Sequence, residues 1–389
     1  MSSDIVVNLS SAQQTISGFG ASTAWASGFN NPADADTLWS TTTGAGLSLH
    51  RVHIDYTDGT TSELSIAQAA VAHGVTVWAT PWTPPVADKS NDSDIEGTLT
   101  NGQAFATYLA NFVTTMKGQG VPIYAISAQN EPDATVTYES CSYSGATLAS
   151  FIGTYMGPAL MGTGVKIIAP ETQNWDGFAT YEPALVSNTT AFSYTSIVAT
   201  HEYGGNPTAY PNIAQAGKEF WETEWYDPAA TADPGMVSAL TVATEIHNAL
   251  TVANMNAWHY WWVYSSGNGG LWDSTNLVWT KRLWIMGNFS RFVRPGYERV
   301  GTTGTGPSGV LLTAYTNAAD GTVAIVAINN NASATSLSVF VSGAAPCSFT
   351  PWVTSATASL VSGTAVPVAS SRFTVSLAAQ SVTTFVGKP

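Results

Sequence analysis

Apolar and polar positions follow two different rhythms along this chain, and the change from one to the other divides it. From Gly18 to Val293, short apolar runs of the kind found in buried parallel strands alternate with stretches whose apolar residues recur at helical spacing. The runs are Gly18 to Ala21, Ser48 to Ile54, Val75 to Thr80, Ile123 to Gln129, Lys166 to Pro170, Ser196 to His201, Lys218 to Glu224 and Asn256 to Val263. Helical stretches between them include Ser62 to His73, Gly102 to Lys117, Gly145 to Leu160 and Met236 to Asn254. Strand and helix in regular alternation predict an α/β fold, a (β/α)8 barrel.

After Arg294-Pro295-Gly296 the period drops to two, in runs separated by Asn, Gly, Ser and Pro. Gly309 to Tyr315, Thr322 to Asn329, Ser336 to Val341, Phe349 to Thr354, Phe373 to Leu377 and Val382 to Val386 predict a side antiparallel β-sandwich. The amino-terminal run, Ile5 to Leu9, is expected to join it. The side module would then be formed by both chain ends, 1–17 and 298–389, around a barrel spanning 18–297. The length of 389 residues fits that division, a barrel of about 250 residues and a module of roughly 100. No repeat of fixed period is present.

Composition narrows the function. Hydrophobic residues make up 44% and charged residues 10%, as in a compact globular protein rather than a disordered polyelectrolyte. The formal charge of -14 repels phosphate backbones and anionic membranes, so neither nucleic acid nor membrane is an expected partner. No apolar stretch is long enough to span a bilayer. A Lys-poor chain rich in Ser, Thr, Gly and aromatics is expected to be secreted, with its signal peptide not present in this chain, and to act as a monomer. Cys141 and Cys347 are expected to be free thiols, and the six histidines show no paired ligand spacing, so no metal or other cofactor is expected.

In such a barrel, chemistry sits at the carboxyl ends of the strands. The fourth run ends in Ala128-Gln129-Asn130-Glu131-Pro132 and the seventh in Trp221-Glu222-Thr223-Glu224-Trp225-Tyr226, so each delivers a glutamate to the same rim. Hydrolysis of a glycosidic bond with retention needs one carboxyl to protonate the leaving oxygen and an ionised one to attack the anomeric carbon. Glu131 is the candidate acid/base and Glu224 the candidate nucleophile. Glu222 shares a face with Glu224 but lies deeper, and is expected to be a buried carboxylate paired with Arg51 or a histidine. The acid should occupy a less polar setting and the nucleophile should lie near positive charge. Arg51, His53 and Asp55 share one strand face, as do His201 and Tyr203, and Arg51 is expected to keep Glu224 ionised.

Aromatics gather at the same strand ends: Trp25, Trp82, Trp175, Tyr203, Trp225, Tyr226, Trp262, Tyr264 and Trp272. Sugar rings stack on such faces. Trp25, Trp82 and Trp262 are the preferred platforms, while Trp78, Trp221 and Trp261 are expected in the core.

Four segments in order carry a resemblance: Gly18-Phe19-Gly20, Thr80-Pro81-Trp82-Thr83-Pro84-Pro85, Ile126-Ser127-Ala128-Gln129-Asn130-Glu131-Pro132-Asp133 and Phe292-Val293-Arg294-Pro295-Gly296-Tyr297. Together with Ala379-Gln380-Ser381-Val382-Thr383-Thr384-Phe385, they make the chain similar, nearly end to end, to the glucuronoxylanase branch of glycoside hydrolase family 30. The resemblance implies a (β/α)8 barrel fused to a side β-sandwich, acid/base at Glu131, nucleophile at Glu224, and Asn130, Trp82, His201 and Tyr203 in the sugar site. It further implies internal cleavage of β-1,4-xylan, typically at a glucuronic acid branch gripped by an arginine just after a Trp-Trp pair. Here that stretch is Trp261-Trp262-Val263-Tyr264-Ser265-Ser266-Gly267-Asn268-Gly269-Gly270, with no arginine. A xylanase independent of glucuronic acid is therefore expected. The alternatives are the same machinery on β-1,6-glucan, β-1,6-galactan or a fucoside, and a barrel that binds polysaccharide without cutting it.

Overall fold

The computed structural model describes residues 4–227, 233–265 and 269–388. Eight parallel strands close a barrel in chain order: Gly18–Ser22, Leu49–Ile54, Thr76–Pro81, Ile123–Ser127, Lys166–Thr172, Thr195–Thr200, Glu219–Glu222 and Ala257–Trp262. All eight expected strands are present, with ends displaced by a few residues. Inward-facing Leu49, Trp78, Ile168, Ile197 and Trp221 form a buried cluster along the axis, so the barrel is filled rather than hollow. Trp78 and Trp221 take the core positions expected of them.

Helices cover the outside. Gly102–Gly118 begins where the Asn101 side chain accepts the Ala104 amide, and its apolar stripe buries Phe105, Leu109, Phe112, Val113 and Met116. Each such large side chain contributes about 1.5–3 kcal/mol when fully buried. The helix expected over Gly145 to Leu160 is interrupted by a π turn at Ile152–Met156. Pro158 has no amide hydrogen to return to the Thr154 carbonyl, which forces the local rearrangement.

The side module is one curled sheet. Its strands run in the order Val361–Ser362, Ser348–Thr354, Ser381–Gly387, Val323–Asn329, Val310–Thr316, Glu298–Thr303, Ile5–Thr15, Thr335–Ser342 and Arg372–Leu377. Ile5–Thr15 pairs antiparallel with Glu298–Thr303 and parallel with Thr335–Ser342, so the first strand is clamped between late ones. That parallel pair departs from the antiparallel expectation. Glu298–Thr303 is a strand the sequence pattern does not announce, because Val300 is its single aliphatic side chain.

Val323–Asn329 is buried throughout because both of its faces are covered. Ile325 and Ala327 face the module's own core, while Ala324, Val326 and Ile328 join the barrel's. Buried polar ties reinforce the seam: Gln14 donates to the carbonyls of Leu250 (2.7 Å) and Met255 (3.0 Å) and accepts from Arg299 (2.8 Å). Cys141 is buried, Cys347 is exposed, and both are free thiols. Among the described residues, no helix is long and apolar enough to cross a membrane.

Candidate active site

Midway along the second barrel strand, Arg51 is completely buried, and its bonds organise the groups around it. Its guanidinium donates to Thr80 Oγ1 (3.2 Å), Asn130 Oδ1 (2.6 Å), Glu171 Oε1 (3.0 Å) and Glu224 Oε2. The same group lies 4.5 Å from the centre of the Trp82 ring, a cation–π contact that covers one of its faces. The second barrel strand thus carries a cation to which four others send a side chain: the third (Thr80), the segment after the fourth (Asn130), the fifth (Glu171) and the segment after the seventh (Glu224).

The backbone is bent to bring these groups together. Glu131 and Glu171 both adopt left-handed φ, at 43° and 57°, which costs a non-glycine residue about 1–3 kcal/mol. Hydrogen bonds hold the bend: the Glu131 amide donates to the Glu171 carbonyl at 3.0 Å, and the Asn130 amide to the Pro81 carbonyl at 2.9 Å.

His201 stands at the centre of the acidic groups. Its Nδ1 is 3.1 Å from Glu131 Oε1, and its Nε2 is 3.6 Å from Glu171 Oε1 and 3.8 Å from Glu224 Oε2. Burial opposes charge on this ring, but Glu224, Glu131 and Glu171 prevail and push its pKa up to about 10. His201 is therefore an imidazolium at neutral pH. One atom each from Glu131, His201 and Glu224 lie within 4.8 Å of one another. Although these three could surround an ion, the two fixed positive charges of Arg51 and His201 already occupy the electrostatic role a metal would play.

Two phenols complete the set. Tyr203 donates to Glu224 Oε1 at 3.0 Å, and Tyr138 donates to Glu131 Oε2 at 2.6 Å. Burial tends to raise the Glu131 pKa, yet His201, Tyr138 and Arg51 together hold it below the ordinary glutamate value. For Glu224, burial wins over His201 and Arg51, and the carboxyl is raised. This ordering is the reverse of the sequence expectation. The reason is geometric: His201 lies closer to Glu131 than to Glu224, so the positive charge expected to favour Glu224 is spread over both.

Above these groups opens a cavity of about 490 Å³. Trp25, Trp82, Tyr203, Tyr226 and Trp262 border it, as do both glutamates. Trp25 is 38% exposed at the rim, in a left-handed backbone conformation. Its ring sits 5.1 Å from His53, which bonds Glu139 at 2.8 Å. Asn130, His201 and Arg51 are buried and do not border the cavity, as hydrogen-bonding support for the residues that do.

Other placements differ from expectation. Trp225 is buried with its ring 6.2 Å from that of Trp258, and Tyr264 donates to Asp34 at 2.7 Å; neither borders the cavity. Trp261, expected in the core, lines it instead, because its strand has reached the rim at that residue. Glu222 is not paired with Arg51, whose donors are committed elsewhere. It accepts the His259 amide at 2.6 Å, and burial raises its pKa well above the ordinary glutamate value. Sequence reasoning missed Tyr138, Gln173 and Glu171. The strand-end filter that selected Glu131 and Glu224 would also have retained Glu171, had the fifth strand been extended one residue past Pro170.

The chain matches the glycosyl hydrolase family 30 TIM-barrel domain over residues 16–236 and the β-sandwich domain of the same family over residues 296–385. It is 32% identical over 399 residues to glucuronoxylanase XynC of Bacillus subtilis (strain 168), covering 99% of this chain and 92% of that protein. Among solved structures, the family 30 subfamily 8 xylanase Xyn30A from Clostridium acetobutylicum is 36% identical, with a TM-score of 0.90 and coverage of 99% and 100% of the two chains. A family 30 endoxylanase from Clostridium papyrosolvens C71 is 32% identical, with a TM-score of 0.86 and all of both chains covered.

Proposed function

Because this chain belongs to glycosyl hydrolase family 30, we propose that it cleaves the β-1,4-xylan backbone with retention of anomeric configuration, Glu131 acting as acid/base and Glu224 as nucleophile. The chain is a glycoside hydrolase of xylanase-like character. The observation that carries the mechanism is the approach of a Glu131 oxygen to within 4.8 Å of a Glu224 oxygen beside an aromatic cavity. Carboxyls about 5–5.5 Å apart belong to retaining enzymes, whereas inversion needs about 6.5–9.5 Å to admit a water.

In the first step Glu224 forms a bond to the anomeric carbon while the bond to the leaving oxygen breaks, and that oxygen takes a proton from Glu131. In the second, Glu131 removes a proton from water, the water oxygen attacks the same carbon, and the ester to Glu224 breaks. Arg51 and Tyr203 fix the Glu224 oxygens from below and beside, and so aim the attack. The buried groups titrate as a set, so the Glu131–Glu224 pair, rather than either carboxyl alone, holds the proton that passes through Glu131 to the leaving oxygen.

Independence from glucuronic acid branches belongs to the same proposal. Among the described residues bordering the cavity there is no Lys or Arg, and Arg51 beneath it is engaged by Thr80, Asn130, Glu171 and Glu224. The stretch from Ser265 to Gly270 contains no arginine, although Ser266, Gly267 and Asn268 lie outside the described residues. Trp25, Trp82, Tyr226 and Trp262 serve as the sugar-binding surfaces in this reading. Secretion, a monomeric state, and a division into a barrel at 18–297 and a side module at 1–17 and 298–389 complete the proposal, the last supported by the strand pairing.

Digestion of linear xylan followed by proton NMR tests the reading. The first-formed reducing end is expected to be the β anomer, and a ladder of products to show internal cutting. An initial α anomer would exclude retention, and inactivity on xylan with activity on β-1,6-glucan would overturn the substrate. Comparable rates on linear xylan and glucuronoxylan are expected; a strong preference for the latter, with cuts placed by the branch, would refute branch independence.

A further inference from the structure

Glu171 belongs to neither proposed catalytic role, yet it is completely buried between the groups that do the chemistry. Its Oε1 accepts from Arg51 at 3.0 Å and lies 3.6 Å from His201 Nε2, while Thr80 Oγ1 stands 3.4 Å from each of its oxygens. Its backbone carbonyl receives the Glu131 amide. The charges in this cluster can be counted. Arg51 and His201 supply two positive charges, and Glu131, Glu171 and Glu224 supply three negative ones when fully ionised.

A buried cluster with net charge is costly, so the neutral arrangement is favoured and one proton stays on the carboxyls. One retained proton is what a retaining glycosidase needs: one glutamate protonated to donate, the other ionised to attack. Without the charge of Glu171, the two cations would balance Glu131 and Glu224 with both ionised, and the donor would lose its proton.

We propose that Glu171 is a positioning residue whose negative charge keeps the donor proton on the Glu131–Glu224 pair through Arg51 and His201. The inference rests on the roles proposed above for those two glutamates. The other titratable groups facing the cluster do not upset the count. Burial raises the pKa of Glu222, lowers that of His259 to about 3 and raises the phenols of Tyr203 and Tyr138, in each case favouring the uncharged form. Asp133 interacts with Glu131 and His201 and accepts the Gln173 amide at 2.9 Å, and because it is retained in the parent and in every variant below, it does not enter the differences between them.

The test is the pH dependence of kcat/KM on linear xylooligosaccharides. In Glu171→Gln the alkaline limb, where the acid loses its proton, is expected to move down by about 1–2 pH units, the size of a nearby-charge effect. KM should change less than kcat, because Glu171 does not border the cavity. Glu171→Asp keeps the charge and should leave the limb where it is. His201→Asn removes one cation and should move the limb the opposite way, to higher pH. Combining it with Glu171→Gln leaves Arg51 against two carboxylates, so one proton is again retained and the limb should return toward the parent's.

A Glu171→Gln profile that superimposes on the parent, or a Glu171→Asp limb displaced as far as that of Glu171→Gln, would overturn the proposal. Should Glu171→Gln not fold, the direction of the His201→Asn shift decides alone: upward supports the charge count and downward sinks it. Glu224→Gln separates the two levels. If that variant retains turnover, the catalytic assignment itself has failed; if it is inactive while the Glu171 profiles are unmoved, only this inference has.

Discussion

At the floor of the cavity, Arg51, Glu171 and His201 are completely buried, and each meets two or more charged or polar partners within 4 Å; at the rim, Trp25 and Tyr138 are 38% and 42% exposed, each with one side-chain hydrogen bond. The floor is over-determined, and the rim is lightly held. Floor residues fix one another's position and charge, so changing any of them should disturb several functions together. Rim residues offer surface to a sugar and can be altered one at a time. Stability and proton placement therefore belong to the floor, and affinity to the rim.

The severest way to probe that contrast is at the two glutamates. Glu131→Gln or Glu224→Gln should lower kcat on xylan by at least about 10² to 10⁴, the range for loss of general acid/base catalysis, and lower the melting temperature as well, because each carboxylate is a partner in the buried cluster. Steady-state kinetics with thermal melts would show both, and unaltered turnover would erase the distinction. Next in size is Arg51→Met, which strands Glu171 and Glu224 without their cation. Breaking a buried ion pair costs about 3–5 kcal/mol, so denaturant unfolding at neutral pH should show a loss of that order. Carboxyls stranded this way have folded pKa values raised above the unfolded ones, so they protonate as pH falls and the deficit should shrink in acid. A deficit independent of pH would mean packing, not charge, was lost.

Changes at the rim should be smaller and separable. Trp25→Ala removes a stacking surface worth about 1–1.5 kcal/mol, so KM should rise roughly tenfold with kcat retained. An equal fall in kcat would place Trp25 functionally with the floor. Tyr138 touches both regions, since its exposed ring carries the hydroxyl that helps hold Glu131 down. In Tyr138→Phe the Glu131 pKa should rise, shifting the alkaline limb of kcat/KM upward by about half to one pH unit, and a downward shift would contradict the hydrogen bond's assigned effect.

How much of this was legible in the sequence follows the same division. Barrel strands carry continuous apolar runs and most side-module strands a period of two, so the architecture and Trp78 and Trp221 could be read directly. Glu131 and Glu224 were legible because strand ends are where side chains reach the rim. Glu171 was missed because the expected fifth strand stops at Pro170, one residue short of it, while the strand itself runs to Thr172. Tyr138 lies in a loop whose path is set by tertiary contacts such as the Tyr143 amide to the Pro132 carbonyl at 3.0 Å. Trp261 and Trp262 illustrate the limit of alternation: at the end of a barrel strand, adjacent side chains both reach the cavity.

Synthesis order adds a consequence of the first strand's position. Ile5–Thr15 emerges from the ribosome well before its hydrogen-bonding neighbours, Glu298–Thr303 and Thr335–Ser342, which follow it only after the whole barrel has been made. During most of translation its edges have no native partner, a situation that exposes nascent chains to mispairing. The stretch is well suited to the wait: Asn8, Ser10, Ser11, Gln13 and Gln14 make it polar along much of its length, and only Ile5, Val6, Val7 and Leu9 form an adhesive patch. Pairing this strand with its two neighbours is thus a late folding event, and it locks the finished fold with a segment made before the barrel.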